Sequence, residues 1–89
     1  MLKHYNIKVT GEVQGVWYRK STQQKAAELE IKGFVKNQPD WSVYIEAEGN
    51  ESQLKALLDW CAKGPEHATV EKVTWEEKEL EFFKDFMIR

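Results

Sequence analysis

The sequence predicts a two-layer α+β fold in which two helices cover one face of an antiparallel sheet, with the element order βαββαβ. Three observations indicate this class. Apolar and polar residues alternate over residues 5–10 and 43–48, as in half-buried strands. Apolar residues recur at three- and four-residue spacing around Ala26 and Leu57, as on the inner face of a helix. With 89 residues the chain has material for one hydrophobic core, so we expect a single domain over residues 1–89.

The first third of the chain predicts a strand, a loop and a helix. The strand ends near Thr10, where the alternation stops. Residues 19–30 are rich in good helix formers, and one face of that helix carries Thr22, Ala26 and Leu29. Gly33 is placed to end the helix, because glycine accepts the left-handed conformation common after a last helical turn.

The middle of the chain predicts a hairpin followed by a second helix. Residues 34–37 form a strand that turns at Gln38-Pro39-Asp40, and a third strand begins at Val43. Asn50 is a favourable cap for the second helix, and Gly64-Pro65 ends it. The apolar stripe of this helix consists of Leu54, Leu57, Leu58 and Cys61.

The last third predicts a strand containing Val70, Val73 and Trp75, a charged connection over residues 76–81, and a short final strand within residues 82–88. Taken together, the elements follow the order of a ferredoxin-like sandwich, with two helices on one face of an antiparallel sheet.

Charge and composition exclude several function classes. Thirteen basic and fifteen acidic residues give a net charge of -2, whereas a nucleic-acid partner selects for a basic surface. No run approaches the roughly 20 apolar residues of a membrane span, and the first residues lack the apolar core of a signal peptide. The single cysteine, Cys61, cannot form an internal disulfide or a cysteine-based metal site. We therefore expect a cytoplasmic protein without a nucleic-acid or membrane partner.

The loop after the first strand has the composition of an anion site. Two glycines, Gly11 and Gly15, precede the first helix, so backbone N–H groups and the positive end of that helix can converge on one point. Arg19 lies in the first turn, where its fork of donors can hold phosphate oxygens. An arginine at such a position is more often a solvated surface residue, so the loop alone leaves both interpretations open.

Two segments resemble the signatures of the acylphosphatase family. Residues 11–19, GEVQGVWYR, resemble the first signature, which ends on the family's phosphate-binding arginine. Residues 33–43, GFVKNQPDWSV, resemble the second, in which Asn37 occupies the position of the water-orienting asparagine. The resemblance extends over nearly the whole chain, to the ending Phe86-Met87-Ile88, and the family has the ferredoxin-like fold.

The resemblance implies hydrolysis of the anhydride between a carboxylate and a phosphate, without a metal, a cofactor or a covalent intermediate. Arg19 would hold the phosphate oxygens and Asn37 would orient the attacking water. The substrate would be a small acyl phosphate, and inorganic phosphate would be both product and competitive inhibitor. We expect a monomer. The phosphoryl group would be cradled by the backbone of a loop comprising Gln14, Gly15, Val16, Trp17, Tyr18 and Arg19.

One departure concerns the hairpin turn, where the family usually has Asp-Gly and this chain has Asp40-Trp41. Tryptophan disfavours positive φ, so we expect the turn geometry to be open to change. Trp41 is interpreted as an exposed aromatic residue, with a substrate-facing rim as the alternative. Asp40 is interpreted as a turn residue and Glu46 as the solvent side of a strand.

The two histidines and the cysteine lie outside both of the signature segments. His4 and His67 are expected on the surface, and Cys61 in the core.

The main alternative to an acylphosphatase is a non-enzymatic ferredoxin-like binding or regulatory module, because fold does not fix activity. Two others are a carbamoyl-phosphate-processing domain like those of hydrogenase maturation proteins and an RNA-binding domain; the first occurs in much longer chains and the second requires a basic surface.

Overall fold

A computed structural model describes residues 1–89 and places two helices on a five-stranded sheet. The sheet order is β4-β1-β3-β2-β5, with every neighbouring pair antiparallel except β2 and β5. The predicted ferredoxin-like α+β class is confirmed, but the final strand makes the sheet mixed. The elements are β1 Leu2–Glu12, α1 Tyr18–Glu28, β2 Lys32–Asn37, β3 Val43–Asn50, α2 Glu51–Lys63, β4 Thr69–Lys78 and β5 Phe86–Ile88.

The core lies between the sheet and the two helices. Strand register places Ile7 opposite Ile45 and Val9 opposite Val43, so alternate residues of both strands face the helices. Burying an aliphatic side chain of this size contributes about 1.5–3 kcal/mol. The helices supply the other side of this core through Ala26, Leu54, Leu57 and Cys61, all fully buried.

Helix α2 begins at a reciprocal cap. The Asn50 side chain accepts a hydrogen bond of 2.9 Å from the Gln53 backbone N–H, and the Gln53 side chain accepts one of 2.8 Å from the Asn50 N–H. Two N–H groups without helical partners are thereby satisfied, which is worth about 1 kcal/mol. The predicted cap is confirmed, and Gly64 ends the helix at φ 68° as expected.

The end of α1 differs from the prediction. The helix stops at Glu28, and the left-handed residue is Glu30, with φ 59°. The predicted role of Gly33 as the helix stop is wrong, because Gly33 lies inside β2. Its φ is 145°, and a Cβ there would collide with the carbonyl oxygen of Glu46 on the neighbouring strand. The glycine is required by close strand contact rather than by the helix end.

The far face of the sheet is partly covered by the segment that follows β4. This strand continues to Lys78, so the charged connection starts later than predicted. The connection then crosses the sheet, where the Glu48 carboxylate accepts three backbone N–H bonds, at distances of 2.6, 3.1 and 2.8 Å, from Glu81, Phe82 and Phe83. Burial opposes ionisation of Glu48, but these donors outweigh it and hold its pKa below the ordinary value.

This cover buries His4, so its expected surface position is wrong. His4 is only 1% exposed, with Nε2 2.9 Å from Glu46 Oε1 and Nδ1 3.2 Å from Glu48 Oε2. The Phe83 ring packs edge-on against the imidazole. The Glu46 side chain is likewise mostly buried rather than on an open solvent side. The period-two pattern places both side chains on this face, but it does not reveal that a distant segment covers it.

The parallel β2–β5 pair brings the last residues of the chain beside the second strand. Val35 is in register with Ile88, and the Arg89 N–H donates a 2.9 Å hydrogen bond to the Val35 carbonyl. Asn37 lies two residues beyond Val35, near Ile88 and the start of α1.

Neither helix is long and apolar enough to cross a membrane.

Candidate active site

A cleft of about 460 Å³ opens where the loop after β1, the start of α1, the end of β2 and β5 meet. Arg19 and Asn37, which belong to separate elements, both line it. The fold thus brings the two principal predicted site residues together. The complete lining is Val13, Gly15, Trp17, Tyr18, Arg19, Lys20, Asn37 and Ile88.

The loop turns sharply into the helix through two left-handed residues. Gly15 has φ 75° and Trp17 has φ 64°. A Cβ built on Gly15 meets no atom within 4 Å, so the backbone there faces open space in the cleft. A ligand can therefore approach the Gly15 main chain directly, as phosphate-binding loops require.

The start of α1 is left uncapped. Trp17 occupies the cap position and offers no side-chain hydrogen bond, and the first turn contains no acidic residue. The first backbone bond of the helix runs from the Ser21 N–H to the Trp17 carbonyl, at 2.9 Å. The N–H groups of Tyr18, Arg19 and Lys20 consequently have no helical acceptor, and with the helix dipole they favour an anion.

The Arg19 side chain is free to bind a ligand. It is exposed and forms neither a salt bridge nor a side-chain hydrogen bond within the chain. Lys20 adds a second cation, and no acidic residue lines the cleft. A chain of net charge -2 thus keeps a locally positive site, where a guanidinium fork can bind two oxygens of one oxyanion.

Asn37 presents a buried acceptor without a donor. It is the last residue of β2, in register with Val43 and on the helix-facing side of the sheet. Its side-chain oxygen Oδ1 is buried and has no hydrogen-bond partner. Leaving such a group unsatisfied costs about 1–3 kcal/mol, so the arrangement suits a site that is completed by a bound donor such as water.

The sequence did not predict the bracing role of Gln14. Its side-chain amide donates to the carbonyls of Gln38 and Ser42, at 2.9 and 2.8 Å, and so ties the loop to the turn after Asn37. The side chain does not line the cleft, and Val16 instead packs against the core. Of the six predicted loop residues, those that line the cleft are Gly15, Trp17, Tyr18 and Arg19.

Tyr18 fixes the first turn of α1 to the other helix. Its hydroxyl donates a 2.8 Å hydrogen bond to the Cys61 carbonyl, which has no helical donor because the residue four positions later is Pro65. Burial raises the pKa of Tyr18 well above its usual range. Burial also raises the pKa of the Cys61 thiol, to about 12, so this side chain is a neutral core residue, as predicted.

The hairpin turn next to Asn37 keeps a left-handed residue even though that residue is tryptophan. Trp41 has φ 72°, and its side chain is 73% exposed but does not line the cleft. Asp40 behaves as the predicted turn residue: its carboxylate accepts from the Ser42 N–H and hydroxyl, and Lys8 Nζ lies 2.8 Å away. The hydrogen bonds from Lys8 and Ser42 hold the pKa of Asp40 well below its usual range.

Comparison with known proteins agrees with this geometry. The acylphosphatase family model matches residues 5–88, nearly the whole chain. The chain belongs to the acylphosphatase family. Membership places it among the hydrolases that act on acid anhydrides.

Individual acylphosphatases resemble the chain over most of its length. One from Marinobacter nauticus is 51% identical over 76 residues, which cover 85% of this chain and 83% of that protein. The solved acylphosphatase from Coxiella burnetii superposes with a TM-score of 0.96 at 38% identity, covering 99% of this chain and 93% of the other. That from Bacillus subtilis gives 0.95 at 36% identity, covering 100% and 99%.

Three lining residues of this family member, Val13, Lys20 and Ile88, were not predicted as site residues. Lys20 follows Arg19 directly, so the adjacent position was the signal that could have found it. Ile88 comes from the opposite end of the chain, and only the parallel pairing of β5 with β2 brings it to the cleft. Its sequence neighbourhood indicated a strand but not a position beside Asn37.

Proposed function

We propose that this protein hydrolyses the carboxyl-phosphate anhydride of a small acyl phosphate, with Arg19 binding the phosphoryl group and Asn37 orienting the attacking water. The observation that carries the proposal is the buried, unpartnered Asn37 Oδ1 in the same cleft as the uncommitted Arg19 guanidinium. An acceptor beside an anion site is the arrangement that an in-line attack by water requires.

Phosphoryl binding follows from the donors of the loop and the helix. The free N–H groups of Tyr18, Arg19 and Lys20 and the main chain at Gly15 offer donors to the phosphoryl oxygens. The Arg19 guanidinium binds two of those oxygens and spreads the charge that develops as the bonds change. These groups are held by the Tyr18 and Gln14 hydrogen bonds, so little reorganisation is needed during the reaction.

The water is positioned by Asn37. A water proton donates to Oδ1, and the water oxygen attacks phosphorus opposite the acyl oxygen. The new oxygen–phosphorus bond forms as the bond to the acyl oxygen breaks, and the electron pair leaves on the carboxylate, which is a stable anion. No histidine or carboxylate lines the cleft, so a phosphoryl oxygen accepts the water proton. The products are a carboxylate and inorganic phosphate.

Three further properties belong to the proposal. Inorganic phosphate retains the oxygens that Arg19 binds, so it inhibits competitively. Arg19 and Asn37 lie in one cleft of a single chain, so we take the monomer as the active form. The lone buried cysteine is compatible with a reducing compartment, which supports the cytoplasm.

Hydrolysis of benzoyl phosphate in the presence of a chelator tests the proposal. We expect turnover by the wild type that the chelator does not reduce, and its loss in Arg19→Ala. Phosphate should raise the melting temperature of the wild type and of Lys25→Ala, a cation at the other end of α1, but not of Arg19→Ala. Absence of turnover in folded wild-type protein would favour the alternative function, a non-enzymatic binding or regulatory module. Retained phosphate stabilisation in Arg19→Ala would remove Arg19 from its role.

A further inference from the structure

The active-site cleft has an apolar wall beside its cationic end. Trp17 and Ile88 line the cleft with Arg19 and Asn37, and they are 75% and 37% exposed. The two side chains come from different elements, the loop before α1 and strand β5. Large apolar groups exposed within a cleft mark surface that a ligand covers.

The Trp17 ring makes no packing contact within the protein that accounts for a tryptophan at this position. It lies outside the buried core and forms no aromatic pair, whereas Trp60 pairs with Tyr18 and Trp75 stacks on Tyr5. Its φ of 64° is unfavourable for a bulky residue. Trp41 shares both properties but lies outside the cleft. Position in the cleft therefore distinguishes Trp17 from an ordinary exposed tryptophan.

The proposed reaction places the acyl group of the substrate next to the apolar side of the cleft. With the phosphoryl group at Arg19 and the water at Asn37, the acyl group extends from the phosphorus into the remaining cleft. The exposed apolar surface of the cleft is that of Trp17 and Ile88, since its other large apolar residues are only 1% exposed. No acidic residue lines the cleft. A ring can stack on the indole and buries more apolar surface against it than an acetyl group does.

We propose that Trp17 determines specificity: with Ile88 it forms an acyl subsite that selects acyl phosphates with an apolar, ring-sized acyl group over acetyl phosphate. The inference rests on the proposed function and adds the substrate class. Contact with one aromatic side chain is expected to change selectivity about tenfold, the lower end of the effect of one methylene group in an apolar pocket.

The test compares kcat/KM for benzoyl phosphate and acetyl phosphate. Asparagine tolerates left-handed φ, so Trp17→Asn removes the ring with little backbone cost, and Trp41→Asn is its matched control. We expect the benzoyl-to-acetyl ratio to fall about tenfold in Trp17→Asn and to stay at the wild-type value in Trp41→Asn. Trp17→Phe, which retains a ring, should keep most of the preference. An unchanged ratio in Trp17→Asn overturns the proposal.

A second measurement needs no variant. Phenylphosphonate and methylphosphonate carry the same anionic head and differ in the apolar group, and we expect phenylphosphonate to inhibit the wild type about tenfold more strongly. Equal inhibition overturns the acyl subsite while leaving the hydrolase intact. Failure of the wild type to hydrolyse either acyl phosphate overturns the proposed function itself, so the two failures are distinguishable.

Discussion

The side-chain amide of Gln14 donates a 2.9 Å hydrogen bond to the backbone carbonyl of Gln38, the residue that follows Asn37. A second bond from the same amide reaches Ser42 across the turn. One side chain thus connects the loop for which we propose phosphoryl binding to the strand end that carries the Asn37 amide. We expect these hydrogen bonds to set the distance between the two halves of the candidate site.

Replacing Gln14 with leucine should therefore impair catalysis without unfolding the protein. Leucine has a similar size but cannot donate, so the loop and Asn37 lose their fixed relation, and misplacement of reacting groups by about 1 Å can cost up to 100-fold. We expect kcat for benzoyl phosphate to fall roughly tenfold or more. Gln24→Leu, on an exposed position of α1, is the control and should match the wild type. Wild-type kcat in Gln14→Leu would show that the hydrogen bonds do not position the site.

Removal of the Asn37 amide should lower kcat and leave phosphate binding in place. Asn37→Ala loses the acceptor for the attacking water, an effect of about 100-fold for a single transition-state contact. Inhibition by phosphate should persist because Arg19 and the helix N-terminus remain. Asn6→Ala is a matched control, because Asn6 Oδ1 is also buried and unpartnered but lies on the other face of the sheet. Equal losses in both variants would point to general destabilisation.

Tyr18→Phe should destabilise the fold by about 1–3 kcal/mol, because the Cys61 carbonyl then loses its donor and Pro65 cannot replace it. Urea denaturation measures this difference in the free energy of unfolding. Tyr44→Phe removes a hydroxyl bonded to Glu46 on the far face, where the side chain is less buried, and should cost less than Tyr18→Phe. The opposite ranking would contradict the assignment of the Tyr18 hydroxyl to an otherwise unsatisfied carbonyl.

Glu48 should make the fold sensitive to acid. Its pKa is lower in the folded protein than the ordinary value of 4.5, so its contribution is fully present above that value and is lost as the pH falls through the folded-state pKa. In Glu48→Gln, we expect a free energy of unfolding about 1–3 kcal/mol lower at pH 6, and a smaller further decrease between pH 6 and pH 3 than in the wild type.

The exposed Glu28→Gln, at the end of α1, serves as the control for Glu48 and should follow the wild-type pH profile. The other ionisable groups at this place are His4, whose Nδ1 is 3.2 Å from the Glu48 carboxylate, and Glu46 beyond it. If Glu48→Gln retains the full acid-induced loss of the wild type, the Glu48 carboxylate is not the source of the sensitivity.

Local patterns were sufficient for most of the fold. Alternation in β1 and β3, the Asn50 cap and the stripe of α2 follow from steric and hydrogen-bonding rules that act within a few residues, and the structure places them accordingly. The predicted roles of the phosphate-binding loop and of Asn37 came from the resemblance of two short segments to the signatures of the acylphosphatase family. The residues themselves left the role of Arg19 open.

The structural features that could not be predicted from the sequence depend on contacts between distant segments. His4 is buried by a connection more than seventy residues later, and Gly33 is required by the approach of a neighbouring strand. The bond from Gln14 to Gln38 and the placement of Ile88 in the cleft likewise depend on the tertiary arrangement. None of these has a periodic or local signal.

The central position of β1 has a consequence for how the chain reaches its native state. Val9 pairs with Val43 on one side and Val73 on the other, so the first strand finds both partners only after most of the polypeptide is available. Folds rich in such non-local pairings cross their folding barrier more slowly than helical bundles, which fold in microseconds to milliseconds. During synthesis, the first strand therefore lacks one of its two partners until β4 has left the ribosome. The candidate active-site cleft, which Ile88 lines, is completed only after that residue has been synthesised.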